Sequence, residues 1–416
     1  NLSPALLGVG YIVGLNVSLL VLAGGIISWW IAIPIYGMLY GSPEGDAAKA
    51  AWTVWNSQIR FLGVGAMAVG GLWTLAQLAG RIRDAVASLA GAHADDLPRP
   101  VILGLLALVS VAISAIYSSS IGSITAGVPL ALLMLLAAFL FAAVAGYMAG
   151  VVGSSHNPVS GMTIGTILLA SLLVLLMQSA GLSVGAPAAL MVGAVVCCAA
   201  AIAGDTLQDL KAGALLDATP SRQQLAQLLG VIAAALVMAP VLQLLYQAYG
   251  FGAGGELPAP QAVLMASVAK GVIEGGLLWG MVTAGAILGA IIIAFDQYLQ
   301  RSGSEWRAPV LAVAVGIYLP LEMAVPLAFG GLVAWRIHGR IGSVATASKG
   351  GADKGLLLSA GLITGEALMG IALAIPLGLF GSNPFALGTT PMAALGIAVA
   401  VGVLWLIHQQ ARASQA

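Results

Sequence analysis

The residues able to do chemistry in this sequence are few, and most of them stand where lipid is expected. Glu366 lies in Gly361-Leu-Ile-Thr-Gly-Glu-Ala-Leu-Met-Gly370, well inside an apolar run. Glu322 follows a break at Pro320, and Lys270 and Glu274 are four apart, so one helix face would hold both. An ionisable side chain in mid-bilayer costs ~3 kcal/mol on insertion scales and normally faces a partner or a cavity. These groups are therefore read as lining a path for substrate or protons. Each has a bland reading beside it. Lys270 and Glu274 make a self-satisfied pair near the interface, and Glu322 caps amides freed by the proline. Glu366 has no obvious sequence neighbour to satisfy it. A proton carrier needs a group that titrates near working pH, and desolvation moves a buried carboxylate that way. The order of candidates is Glu366, Glu322, Glu274 and His156. His156 belongs to Ser154-Ser-His-Asn-Pro-Val-Ser-Gly161, a polar break between long apolar runs. Ser155, Asn157 and Ser160 beside a helix N-terminus are the material of a discontinuous-helix binding site, although a plain connecting loop has the same composition.

The elements that must hold these groups follow from composition. Of 416 residues, 60% are hydrophobic and only 7% charged, against about 25% charged in soluble domains. Such a chain could not cover a water-facing surface; lipid must do it. The fold class is an all-α polytopic membrane bundle of roughly 10–13 segments at ~20 residues each. Apolar runs place spans at 16–38, 58–80, 100–119, 124–150, 161–179, 186–204, 225–248, 271–295, 355–380 and 391–408. Three further stretches look broken or re-entrant, at Ser3-Pro4, Asn157-Pro158 and Leu319-Pro320. Their similar separations hint at repeat-like units beginning near 1, 154 and 310 within one transmembrane domain.

Basic residues cluster in four loops: Arg81, Arg83 and Arg99; Lys211 and Arg222; Arg301 and Arg307; and Arg336, Arg340, Lys349 and Lys354. Span counting puts the first three on one side. The fourth joins them if 310–335 is a hairpin bent near Pro320–Pro326, which makes all four loops and Arg412 cytoplasmic. The chain has 55 glycines. Pairs four apart, such as Gly10/Gly14, Gly285/Gly289 and Gly361/Gly365, read as smooth stripes for close helix packing and permit a homodimer. Trp29, Trp30, Trp52, Trp55, Trp306 and Trp335 read as interfacial anchors. Adjacent Cys197 and Cys198 are packing residues, with neither a metal site nor a disulfide framework implied.

Fifteen basic and fifteen acidic residues cancel, so no global field attracts nucleic acid. Residues 205–224 form a charged amphipathic elbow on the cytoplasmic side, with Asp205, Asp209 and Lys211 as gate or coupling candidates or as a mutually paired structural group. No nucleotide-binding loop, zinc-protease pair or nucleophile elbow occurs, so neither an enzyme nor a cofactor is implied. A passive channel and an intramembrane enzyme acting on a lipid-linked substrate remain as rival classes.

Five segments resemble the oligopeptide transporter family in its bacterial branch, related to the yellow-stripe-like metal-chelate carriers. They read SPALLGVGYIVG from Ser3, SSHNPVSGMTIGT from Ser154, GDTLQDLKAGALLDATPSRQQ from Gly204, GIYLPLEMAVPLAFGG from Gly316 and GLITGEALMG from Gly361. The resemblance implies a proton-coupled importer of small peptides or metal chelates in the cytoplasmic membrane, alternating access around a midplane site. Family members are longer at the N-terminus, and this chain resembles their later two-thirds. On this mapping the broken segments, including Tyr318 beside Leu319-Pro320, line the substrate site.

Overall fold

The structure, a computed structural model, describes residues 3–41, 46–88, 96–152, 159–251, 257, 259–275, 278–339, 341–342, 353–380 and 393–413. Almost all of them are helical. The elements are α1 (Pro4–Ile26), a π-helical turn (Ile27–Ala32), α2 (Ile33–Tyr40), α3 (Ala47–Val54), a second π-helical turn (Trp55–Ile59) and α4 (Arg60–Ser88). There follow α5 (Arg99–Ile121), α6 (Ile124–Val152), α7 (Val159–Ser179), α8 (Ala186–Leu215), α9 (Pro220–Tyr249) and α10 (Pro260–Ile273). The series ends with α11 (Trp279–Arg301), α12 (Val310–Tyr318), α13 (Leu321–His338), α14 (Lys354–Phe380) and α15 (Ala393–Ala413). Among the described residues eight helices are long and apolar enough to cross a membrane. The protein is an all-α polytopic membrane protein.

The helices begin and end where local chemistry requires. Ser3 caps α1, its hydroxyl accepting the Leu6 amide at 3.2 Å, and Pro4 occupies the first helical position. Gly122 and Gly339 end α5 and α13 in the left-handed conformation. None of the most apolar window of α9 is buried, and almost none of those of α5 and α14. Helices apolar all round and uncovered by protein are solvated by lipid.

The chain divides into two compact units. The first comprises Asn1–Gly70, Val241–Pro260 and Leu278–Ala416. Its centre is α1, which packs against α12, α13 and α14. Contacts along α1 pair Gly24 with Val313, Val21 with Gly316, Gly10 with Leu327 and Leu7 with Gly330. As one number falls the other climbs, so α12 and α13 run end to end, antiparallel to α1. This corrects the hairpin expected at Pro320–Pro326. Pro320 interrupts the helix for two residues, and the chain then continues in its original direction. Arg307 and Arg336 consequently lie at opposite ends of this broken helix, and basic residues alone do not set the orientation. Pro326 is carried inside α13.

Two further expectations change. The segment around Ser3 is no separate piece; α1 continues through its π-helical turn into α2, making one 37-residue apolar stretch from Pro4 to Tyr40. Its break is at Gly14, one of the glycines that follow Ser3-Pro4, where φ is +81° and ψ 175°, a backbone region that glycine alone enters freely. Ile341 fills the break, its carbonyl accepting the Asn16 amide at 3.0 Å. The span expected over 271–295 splits, because α10 stops at Ile273 and α11 starts at Trp279. Gly275, at φ +72°, ends the first piece.

The second unit comprises Gly71–Pro240 and Gln261–Leu277. Here α8 lies between α6 and α7, and α5 packs on α6. The Tyr117 hydroxyl, buried on α5, donates to the Ala188 carbonyl of α8 at 3.1 Å.

Candidate functional site

Within the second unit, α7, α8 and α10 line an open cavity of about 500 Å³. Val159, Ser160, Thr163 and Ile167 come from α7, Leu190, Ala194 and Cys197 from α8, and Gln261, Ala262 and Met265 from α10. The first turns of two helices therefore meet one cavity, and first-turn amides have no partner within their own helix. Together with the helix dipoles they favour an anionic group there. Thr163 spends its hydroxyl on the Val159 carbonyl at 2.8 Å, leaving Ser160 and Gln261 as the polar side chains of an otherwise apolar wall. Ser160 lies in the first turn of α7, on the wall of this cavity. Ser155, His156 and Asn157 lie outside the described residues.

Lys270 occupies the last turn of α10, and Glu274 follows the helix end. Both are exposed. Their link among the described residues is the Glu274 amide donating to the Lys270 carbonyl at 2.7 Å, so the expected side-chain pair is replaced by a helix end. The elbow is an extension of α8 through Leu215, a turn at 216–219 and the start of α9. Asp205, Asp209 and Lys211 are exposed on this extension. Glutamines from α9 tie it down: Gln223 donates to the Asp209 carbonyl, and Gln227 donates to the Thr206 carbonyl at 3.2 Å and to Asp209 Oδ2 at 3.4 Å. Gln224 reaches back to Asp96 Oδ1 at 3.0 Å.

In the first unit, Glu366 has a partner that its sequence neighbours do not suggest. Its carboxylate accepts the Ser3 hydroxyl at 2.7 and 2.8 Å and the Ala5 amide at 2.9 Å. It therefore sits on the positive end of α1, where an anion is stabilised. Glu322 is in the first turn of α13, the position that favours a carboxylate for the same reason. Tyr318 is buried at the end of α12, and the neighbouring Ile317 carbonyl accepts the Trp55 indole N–H at 3.4 Å. Trp55 stacks on Trp29 with ring centroids 5.7 Å apart, and Trp52 meets both edge-on. These three tryptophans form a packed group. At the end of α11, Asp296 takes two hydrogen bonds from Arg307, at 2.9 and 2.7 Å, and one from the Ala308 amide at 2.7 Å. The bonds to Asp296 push Arg307 further up from its already high range.

One buried polar group was not anticipated. Tyr11 of α1, fully buried, brings its hydroxyl to 2.8 Å from His338 Nε2 and 3.2 Å from Asp353 Oδ2. Nε2 is itself 3.1 Å from Oδ2. His338 ends α13, and Asp353 precedes α14, its second oxygen accepting the Gly355 amide at 2.7 Å. A side chain at position 355 would strike the Tyr11 hydroxyl, so glycine makes room for the cluster. Ile407 and Ala411 of α15 close the apolar side. The signals in the sequence were weak but present: Tyr11 between glycines, and an Asp just before an apolar helix.

Among the described residues no group of three or more His, Cys, Asp or Glu could hold a metal ion. The family described as OPT oligopeptide transporter protein matches residues 1–377. A protein of Haemophilus influenzae named "Putative oligopeptide transporter" is 35% identical over 416 aligned residues, covering 89% of this chain and 65% of the relative. The chain thus spans just under two thirds of that relative's length. With this match across most of its residues, the chain belongs to the OPT oligopeptide transporter family.

Proposed function

We propose that the protein is a secondary transporter that imports small peptides, driven by protons, across the cytoplasmic membrane. The observation that carries this reading is the cavity where α7 and α10 both begin. A peptide has a carboxylate, which suits two helix N-termini, and an apolar or variable body, which suits the Leu190, Ala194 and Met265 walls. The name of the Haemophilus relative and the family's description support the same substrate class. Peptide-like metal chelates offer carboxylates too and form the second substrate class. The gate candidates Asp205, Asp209 and Lys211 stay with this reading, on the C-terminal extension of the cavity-bearing helix α8. Gly361, Gly365 and Gly370 of α14 face open space, which supports a close helix contact such as that of a homodimer.

The test is uptake into proteoliposomes under an inward proton gradient, with labelled tri- to pentapeptides and iron-chelate complexes side by side. Saturable peptide accumulation that a protonophore abolishes is the expected result. Linear, unsaturable flux would assign a channel instead, and saturable uptake of the chelates alone would move the protein to the other substrate class.

A further inference from the structure

We infer that the cavity lined by α7, α8 and α10 selects peptides whose carboxy-terminal residue carries a long, uncharged apolar side chain, with Ala194, Cys197 and Met265 setting that preference. The inference rests on the reading of this cavity as the peptide site, and it names which peptides the site takes. The chain reverses between α7 and α8 within residues 180–185, so the two helices run antiparallel. A side chain at Gly193 would strike Ile167, which sets their register. Ala194 then lies level with Ile167, and Cys197, one turn further along α8, lies level with Thr163. Ser160 and Gln261, in the first turns of α7 and α10, mark one end of the cavity. Met265 stands one turn in from Gln261, and Leu190 lies a turn beyond Ala194 at the other end. From Ser160 to Ile167 the wall runs about 10 Å along α7.

The chemistry changes along that length. At the polar end Ser160 and Gln261 can hydrogen-bond a carboxylate. Further in, Thr163 has given its hydroxyl to the Val159 carbonyl, and Ile167, Leu190, Ala194, Cys197 and Met265 present only carbon and sulfur. Among the described residues the wall carries no charged side chain. With the carboxylate held at the polar end, the side chain of the same residue lies against this apolar wall. Each methylene buried there raises affinity about fourfold. A lysine stem would carry an ammonium into the same wall with no partner for it, next to helix starts that repel positive charge. The unbranched thioether of Met265 adapts to straight, branched and aromatic shapes alike. Ala194, exposed on the stripe between Leu190 and Cys197, leaves the room in which such a side chain fits.

The cavity holds its own reporter. The chain has two cysteines, Cys197 and Cys198, so Cys198→Ser leaves the thiol on the wall as the single one. The purified Cys198→Ser protein is treated with iodoacetamide while Ala-Ala-Ala, Ala-Ala-norleucine or Ala-Ala-Lys is titrated in, and alkylation of Cys197 is read by mass spectrometry. Norleucine adds three methylenes to alanine, and lysine adds an ammonium to the norleucine stem. The norleucine peptide is expected to half-protect Cys197 at a concentration at least tenfold below that of Ala-Ala-Ala, and the lysine peptide at one at least tenfold above that of the norleucine peptide. Adding Ala194→Phe, whose ring would fill the room beside Cys197, should cut the norleucine advantage over Ala-Ala-Ala to less than about threefold. Equal protection by all three peptides, or an undiminished advantage with Ala194→Phe, would overturn the inference and leave the cavity as the peptide site. Protection by none of them, or a thiol that does not react even without peptide, would overturn the inference together with the cavity reading. The expected order of protection in a protein that accumulates no peptide in proteoliposomes would support the selectivity and strike proton-driven import alone.

Discussion

Replacing Gly10 with alanine would set a methyl carbon 2.1 Å from the Leu327 carbonyl oxygen and 2.8 Å from its carbon. Ordinary contact needs more than 3 Å, so α1 and α13 would have to part by about 1 Å, a gap that forfeits a quarter to a half of each dispersion contact along the seam. Overpacking of this kind costs about 1–3 kcal/mol. Gly330→Ala meets the Leu7 carbonyl at the same 2.1 Å, and its added carbon would also lie 3.0 Å from Gly10 Cα. The two sites share one seam, so the double variant should cost less than the sum by at least about 0.5 kcal/mol, the second methyl entering a gap already opened. Gly361→Ala, facing open space, is the control and should be neutral or gain up to about 1 kcal/mol of helix propensity. Unfolding in mixed micelles with increasing denaturing detergent reads all four proteins. Gly10→Ala as stable as Gly361→Ala would refute the antiparallel packing on which the first unit rests.

Glu366→Gln removes the charge at the start of α1 and should lower stability by about 1 kcal/mol while leaving gradient-driven uptake in place; uptake abolished at unchanged stability would assign Glu366 to the proton path. Asp296→Ala should cost more than Arg307→Ala in the same unfolding assay, because it also strands the Ala308 amide, whereas the Arg307 side chain is 43% exposed and its half of the pair is worth about 1 kcal/mol or less. Equal losses would mean that the ion pair alone matters. Ser160→Trp should fill the α7–α10 cavity and abolish peptide uptake with little change in melting midpoint, and normal uptake would remove the cavity from the substrate path.

The membrane spans were legible because an apolar run of about twenty residues suits a bilayer and little else, and α5 through α9 fall close to where those runs lie. Breaks were harder. Proline marked the interruption at Pro320 correctly, but a helix can resume its direction after two residues, and only the order of contacts along α1 distinguishes that from a hairpin. Gly14 was visible as a member of a glycine pair, yet a glycine that packs and a glycine that breaks a helix look alike in sequence. Gly10 does the first and Gly14 the second. Glu366 stood out because it is a carboxylate in an apolar run, and its partners Ser3 and Ala5 lie more than 360 positions away. His338 and Asp353 did not stand out, for the complementary reason. Each lies at a helix end among basic residues, where ionisable groups are ordinary, and what sets them apart is the burial of Tyr11 against them.

Steady-state accumulation as a function of the imposed proton gradient tests the central claim most directly. Proteoliposomes holding the protein are given labelled tetra-alanine outside and pH differences from zero to two units, acid outside. If one proton enters with each peptide, the inside-to-outside ratio should rise about tenfold per unit of pH difference, since about 1.4 kcal/mol is a factor of ten. A ratio that remains at one across the whole range would contradict proton-driven import.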